Sequence, residues 1–201
     1  MIKGATQVRT SETHPLYINE VVVPMAAAAQ DARHSSKTSG RIGLTFCPGK
    51  KGKSFTGPDW DRDLQADLDK IAAWGAKRVI TLLEKFEFDM LGVPELGTSI
   101  TARGMAWSHL PISDGQAPEA SFDLVWEQKR SEFAGALRQG EGILVHCRGG
   151  LGRAGTVACL LLMDQGLGWQ EAMALVRRAR PGAVETRGQE VYIAGYRSPR
   201  I

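Results

Sequence analysis

Paired cysteines, long apolar runs and a strong charge of either sign are all missing from this sequence. The three cysteines, Cys47, Cys147 and Cys159, are odd in number and none has C-x-x-C spacing. That excludes a disulfide framework and a tetrahedral zinc site, and points to a reducing, cytoplasmic compartment. No apolar run approaches the ~20 residues a membrane span needs. Val21–Ala29 faintly resembles a signal-peptide core, but it follows Glu20 and is broken by Pro24, so it reads as part of the folded protein. A formal net charge of +3 is too small for a nucleic-acid footprint and suits a single anion site better.

What is present is ordinary for a globular chain: 201 residues, 43% hydrophobic and 23% charged. This length makes one domain that can bury about 70% of its unfolded surface without staples. Residues 1–40 read as an N-terminal extension or loosely attached strands. Val21–Val23 and Ile42–Phe46 have the character of edge strands, and Gln30–Gly40 that of a turn or mobile loop. From Asp59 the pattern becomes regular. Leu64, Leu68, Ile71 and Trp74 predict a helix ended by Gly75, and Arg78–Leu83 a buried strand. A helix around Val93–Arg103 and a strand near Met105–Leu110 follow. Ser121 is expected to cap a long helix that stops at Gly140. Ile143–Val145 is a short buried strand, Ala154–Gln165 an apolar helix, and Trp169–Arg180 another, closed by Pro181-Gly182. A capping box, Thr186-Arg-Gly-Gln189, opens the last helix. Strands alternating with helices predict α/β architecture: a single domain with a mostly parallel central sheet flanked by helices.

The chemistry concentrates in Ile143-Leu-Val-His146-Cys147-Arg148-Gly149-Gly150-Leu151-Gly152-Arg153-Ala154-Gly155-Thr156. Three glycines allow successive backbone N–H groups to turn inward as an anion cradle, and the start of a helix adds partial positive charge there. Surroundings of this kind favour the thiolate form of a cysteine. Arg153, six residues beyond Cys147, can fold back and grip two oxygens of a phosphoryl group. The parts describe nucleophilic phosphoryl transfer, with Cys147 attacking and Arg148, Gly149, Gly150, Leu151, Gly152 and Arg153 binding phosphate. Such chemistry calls for no metal and no cofactor. The leaving oxygen needs a proton, and Asp114, in a loop after a predicted strand, is placed to give it. His146 reads as a residue that orients the loop, and Gln189 either as a capping residue or as one that positions the hydrolytic water.

His146-Cys147-x5-Arg153 resembles the active-site loop of cysteine-based protein phosphatases. The longer Cys-x-Gly-Gly-Leu-Gly-Arg resembles that of the kinase-associated, dual-specificity branch. Pro111-Ile112-x-Asp114-Gly115-x-x-Pro118 is similar to that family's general-acid loop, and Arg180-Pro181-Gly182-x-x-Glu185-Thr186-x-x-Gln189 to a motif of atypical members. The resemblance implies a protein-tyrosine-phosphatase-like fold over residues 41–201 and hydrolysis of phosphotyrosine, phosphoserine or phosphothreonine through a cysteinyl-phosphate. One position departs: the family usually has Ser or Thr after the loop arginine, to support the departing thiolate, and this chain has Ala154. That departure leaves room for a slow phosphate-binding interaction module. The same site could also serve a phosphoinositide, inositol phosphate or nucleotide.

Three further features carry blander expectations. Gly43-Leu-Thr-Phe-Cys-Pro-Gly49-Lys50 fits the nucleotide-binding G-x-x-x-x-G-K pattern, but Lys51 stands where Ser or Thr must hold magnesium. It is a decoy. The run Lys50-Lys51-x-Lys53 reads as a solvated loop able to draw in acidic substrates. The five tryptophans and Cys159 read as packing.

Overall fold

Short β-branched runs and amphipathic helices alternate along the chain, and the strands assemble around the most apolar of them. The computed structural model describes residues 8–24, 39–54 and 57–198. In chain order these form β1 (Asn19–Val22), β2 (Arg41–Phe46), β3 (Lys51–Gly52), β4 (Trp60–Asp61), α1 (Leu64–Trp74), β5 (Ala76–Thr81), α2 (Lys85–Met90) and α3 (Leu96–Thr101). Then come β6 (Ala106–His109), α4 (Ala120–Arg138), β7 (Gly142–Cys147), α5 (Gly152–Met163), α6 (Trp169–Ala179) and α7 (Arg187–Gly195). The main sheet has the order β1-β2-β7-β5-β6, with β1 antiparallel and the other four strands parallel. β3 and β4 form a separate two-stranded ribbon. The expected α/β architecture is the one observed.

The alternation of side chains along each strand sends neighbours to opposite faces. Ile80, Leu82, Ile143 and Val145 join one core with α4, α5, α6 and α7, built on Phe122, Trp126, Phe133 and Val157. Val79, Leu83 and Leu144 join the other, with Leu68, Ile71, Leu96 and Ile100 from α1 and α3. Both faces of the sheet are therefore covered, as short apolar parallel strands require. α5 is buried at every position, which accounts for its lack of a polar face.

Sequence and structure differ in a few elements. Ile42–Phe46 is not an edge: β2 lies between β1 and β7, and the outer strands are β1 and β6. The helix expected over Val93–Arg103 contracts to α3. The preceding helix α2, too short for an apolar stripe to register, was not expected. α4 begins at Ala120 with Glu119 at its N-cap, so Ser121 lies inside the helix instead of capping it. The other caps follow the sequence. Asp63 accepts the Ala66 N–H at 2.9 Å, and Gly75, at φ 93°, closes α1 in the left-handed conformation. Of Val21–Ala29, residues 21 and 22 lie in β1; residues 25–29, and Gln30–Gly40 as far as residue 38, fall outside the described residues. The nucleotide-loop pattern is a decoy: Gly43 sits mid-strand in β2, and Lys50 leads into β3 instead of a helix.

Candidate active site

The C-terminal ends of parallel strands collect loops on one side of the sheet, and ligands of open α/β sheets bind there. β7 is the central strand, buried throughout, and it ends at Cys147. The loop that follows turns sharply at Gly150 (φ 71°), where a Cβ would lie 2.4 Å from the Thr45 carbonyl oxygen. Only glycine fits that turn. The Gly150 N–H donates to the Cys147 Sγ at 3.2 Å, and α5 starts at Gly152. The loop is braced from outside by Arg180, which donates to the Gly150 carbonyl at 2.6 Å, the Gly149 carbonyl at 3.0 Å and the Asn19 side chain at 2.7 Å.

Arg153 is fully buried in the first turn of α5. Glu87 of α2 receives both of its terminal nitrogens, at 2.6 and 2.9 Å, and the Leu82 and Ile112 carbonyls take two further bonds at 3.3 and 3.0 Å. Asp114 approaches the same guanidinium at 2.8 Å. Burial opposes the charge on Arg153, but Glu87, Cys147 and Asp114 together hold its pKa above the ordinary arginine value. Its Nε, also buried, has no hydrogen-bond partner among the described residues. Removing Glu87 should strand a buried cation. Glu87→Ala is expected to lose about 3–5 kcal/mol of stability, measured by urea unfolding.

The remaining sequence candidates fall around these two groups. Asp114 is exposed and reaches both Arg153 and, at 3.9 Å, Arg148. His146 is fully buried with Nε2 2.8 Å from the Thr81 hydroxyl, which also accepts the Trp107 indole N–H at 2.9 Å. Burial above all, then the nearby Arg153 and His109, pushes its pKa down to about 3, so the imidazole is neutral near pH 7. The Gly152 N–H is already engaged by Glu185 at 2.7 Å. Glu185 follows Val184, a β-branched residue held at φ 61°, a conformation that costs of order 1–3 kcal/mol. Gln189 is buried and committed: its side chain accepts the Glu185 and Thr186 N–H groups and donates to the Gln116 carbonyl at 3.1 Å. It closes the capping box and ties α7 to the Asp114 loop.

A pocket of about 400 Å³ opens over Cys147, Arg148, Gly149, Arg153, Asp114 and Glu185. Two expectations change here. Lys50 is not a solvated loop residue: it is buried against Phe46 and Trp60 and lines this pocket. Trp60 is likewise a pocket wall as well as packing. Glu87, Arg180 and Glu185 had no role assigned from sequence. Arg180 and Glu185 lie in the Arg-Pro-Gly segment already singled out, whereas nothing in Lys85-Phe-Glu87-Phe signals a buried partner for an arginine 66 residues away.

A strand, a cysteine loop and a buried helix-borne arginine under an aspartate loop define a phosphatase of the cysteine-loop class. Comparison with known proteins agrees. The family described as "PTP-SAK: Swiss Army Knife protein, DSP-PTPase phosphatase domain" matches residues 61–193, and the chain belongs to it. It is 32% identical over 158 residues to cyclin-dependent kinase inhibitor 3 of Mus musculus, covering 78% of this chain and 71% of that protein. It is 27% identical over 135 residues to protein tyrosine phosphatase type IVA 3 of Homo sapiens, covering 67% and 72%. Its fold is similar to the crystal structure of kinase associated phosphatase with the catalytic-site cysteine replaced by serine. That match has a TM-score of 0.71 and 25% identity, over 89% of this chain and 92% of the other. The protein is a phosphatase of the protein-tyrosine and dual-specificity type.

Proposed function

We propose that the protein hydrolyses phosphotyrosine and phosphoserine or phosphothreonine in phosphorylated proteins, through a cysteinyl-phosphate on Cys147. The observation that carries this reading is the pairing of Cys147, bonded by a loop N–H, with a clamped arginine whose Nε has no partner among the described residues, beside the same pocket. An incoming phosphoryl group takes Nε and displaces Asp114 from the neighbouring nitrogen, which places the carboxyl near the leaving oxygen. The Cys147 thiolate attacks phosphorus, the S–P bond forms as the P–O bond to the leaving group breaks, and Asp114 gives that oxygen its proton. Water then attacks phosphorus, Asp114 takes its proton, and the P–S bond breaks to restore the thiolate. Arg153 and the loop amides hold the equatorial oxygens through both steps. His146, neutral and anchored on Thr81, positions the loop. The free thiolate calls for a reducing compartment.

Ala154 offers no hydroxyl to the departing sulfur, and the Thr156 hydroxyl is spent on the Gly152 carbonyl at 2.9 Å. The second step is therefore the slow one, and phosphoenzyme accumulates.

The test is hydrolysis of an aryl phosphate and of phosphotyrosine and phosphothreonine peptides, with Cys147→Ser as control. Asp114→Asn should lower kcat/KM, which reports the first step, about a hundredfold on the phosphothreonine peptide, whose alkoxide leaves poorly, and much less on an activated aryl phosphate. Equal losses on both would remove Asp114 as the proton donor.

A further inference from the structure

Six cationic side chains, Arg9, Lys50, Lys51, Lys53, Arg148 and Arg153, line the pocket with two carboxylates among the described residues. Both carboxylates are engaged, Asp114 on Arg153 and Glu185 on the Gly152 N–H. Glu87 already pairs Arg153 and Asp61 pairs Lys51 at 3.3 Å, so the charge left to a further anion lies at Lys50 and Lys53. Lys50 is the most telling. It is 8% exposed, and its ammonium makes one hydrogen bond, to the Arg148 carbonyl at 3.3 Å. Otherwise it lies over the rings of Phe46 at 4.5 Å and Trp60 at 4.2 Å. No carboxylate comes within ion-pairing distance of it among the described residues, although a buried ammonium ordinarily requires one. An ammonium has three donors, so its capacity is largely unused. Burial, with Arg62 and Arg9 nearby, pushes its pKa down to about 8.

The surroundings fix this charge in place. The Trp60 ring carries Arg9 at 3.8 Å as well as Lys50, and Arg9 is itself held by the Pro58 carbonyl and the Ser54 hydroxyl. Beneath, the fully buried Arg62–Asp67 pair (2.7 Å) fastens the loop, with Asp67 accepting the Gly49 N–H at 2.8 Å. From Lys50 outward, Lys51 and Lys53 are exposed, so the cations run from the pocket wall to solvent along one stretch of chain. A strip of that kind suits an extended acidic segment better than a compact headgroup.

We propose that Lys50, set on Trp60 beside Arg9 and continued by Lys53, forms a second anion subsite that holds a neighbouring phosphate of a doubly phosphorylated peptide while Cys147 attacks the first. This rests on the phosphatase reading above. The experiment compares two peptides of one sequence, carrying phosphotyrosine alone or with a phosphoserine two residues away, and adds a soluble inositol bisphosphate. The wild type should favour the doubly phosphorylated peptide in kcat/KM by about tenfold, the worth of one charge-assisted contact. Lys50→Met should erase most of that preference, Lys50→Arg should retain it, and the exposed Lys53→Gln should weaken it, with thermal melts checking each fold. Should Lys50→Met not fold, Lys53→Gln and the wild-type preference still decide. Equal rates on the two peptides, equal losses on both in Lys50→Met, or a preference confined to the inositol bisphosphate would overturn the proposal. If the wild type hydrolysed no phosphoester, the phosphatase reading would fail instead. The subsite would then be judged by whether Cys147→Ser binds the doubly phosphorylated peptide about tenfold more tightly.

Discussion

Cys147→Ser is expected to lower kcat on an aryl phosphate about ten-thousandfold or more, because no other group takes the place of a removed nucleophile. The serine hydroxyl would stand at the end of β7 under the same Gly150 N–H. It lacks a base, since the neighbouring imidazole of His146 is turned to Thr81. Phosphate binding should survive, because Arg153 and the loop amides are untouched. The variant should therefore bind phosphopeptide without turning it over, which isothermal titration and a steady-state assay separate. Retention of more than about a hundredth of wild-type kcat would remove Cys147 from the nucleophile's place.

Arg153→Lys comes next in size. A guanidinium serves Glu87 with two nitrogens while reaching the Leu82 and Ile112 carbonyls and Asp114. A lysine ammonium is a single point charge and cannot hold that fork or offer a planar edge to two phosphoryl oxygens. Loss of transition-state charge stabilisation should lower kcat by about a hundred- to a thousandfold, with a smaller change in KM. Stability should fall as well, so rates are to be taken below the melting transition of the variant. A kcat within about threefold of wild type would show that the clamp, and not the fork's contact with substrate, is what Arg153 provides.

These effects trace back unevenly to the sequence. The strand, glycine loop and helix from Ile143 to Thr156 are contiguous, so local rules reach them, and the same holds for the capping box at Thr186 and Gln189. Asp114 was legible because loops after parallel strands converge, a rule of topology that needs no contact map. Glu87 was not. It meets Arg153 beyond the C-terminal ends of the adjacent strands β5 and β7, and α2 is too short to show which of its faces is inside. Lys50 misled for a related reason. Three lysines in four residues look solvated, but the buried pair Arg62–Asp67 draws the Gly49 backbone inward and takes Lys50 with it. The interior place of β2 was likewise set by β1, whose pairing no feature of Ile42–Phe46 announces.

The central claim is covalent: phosphate passes through Cys147. The most direct measurement is rapid acid quenching of the protein during turnover of an aryl phosphate, followed by mass spectrometry of its peptides. One phosphoryl group on the peptide containing Cys147, present in the wild type and absent in Cys147→Ser, is the predicted result. Sustained turnover with phosphate on another residue, or surviving in Cys147→Ser, would contradict it.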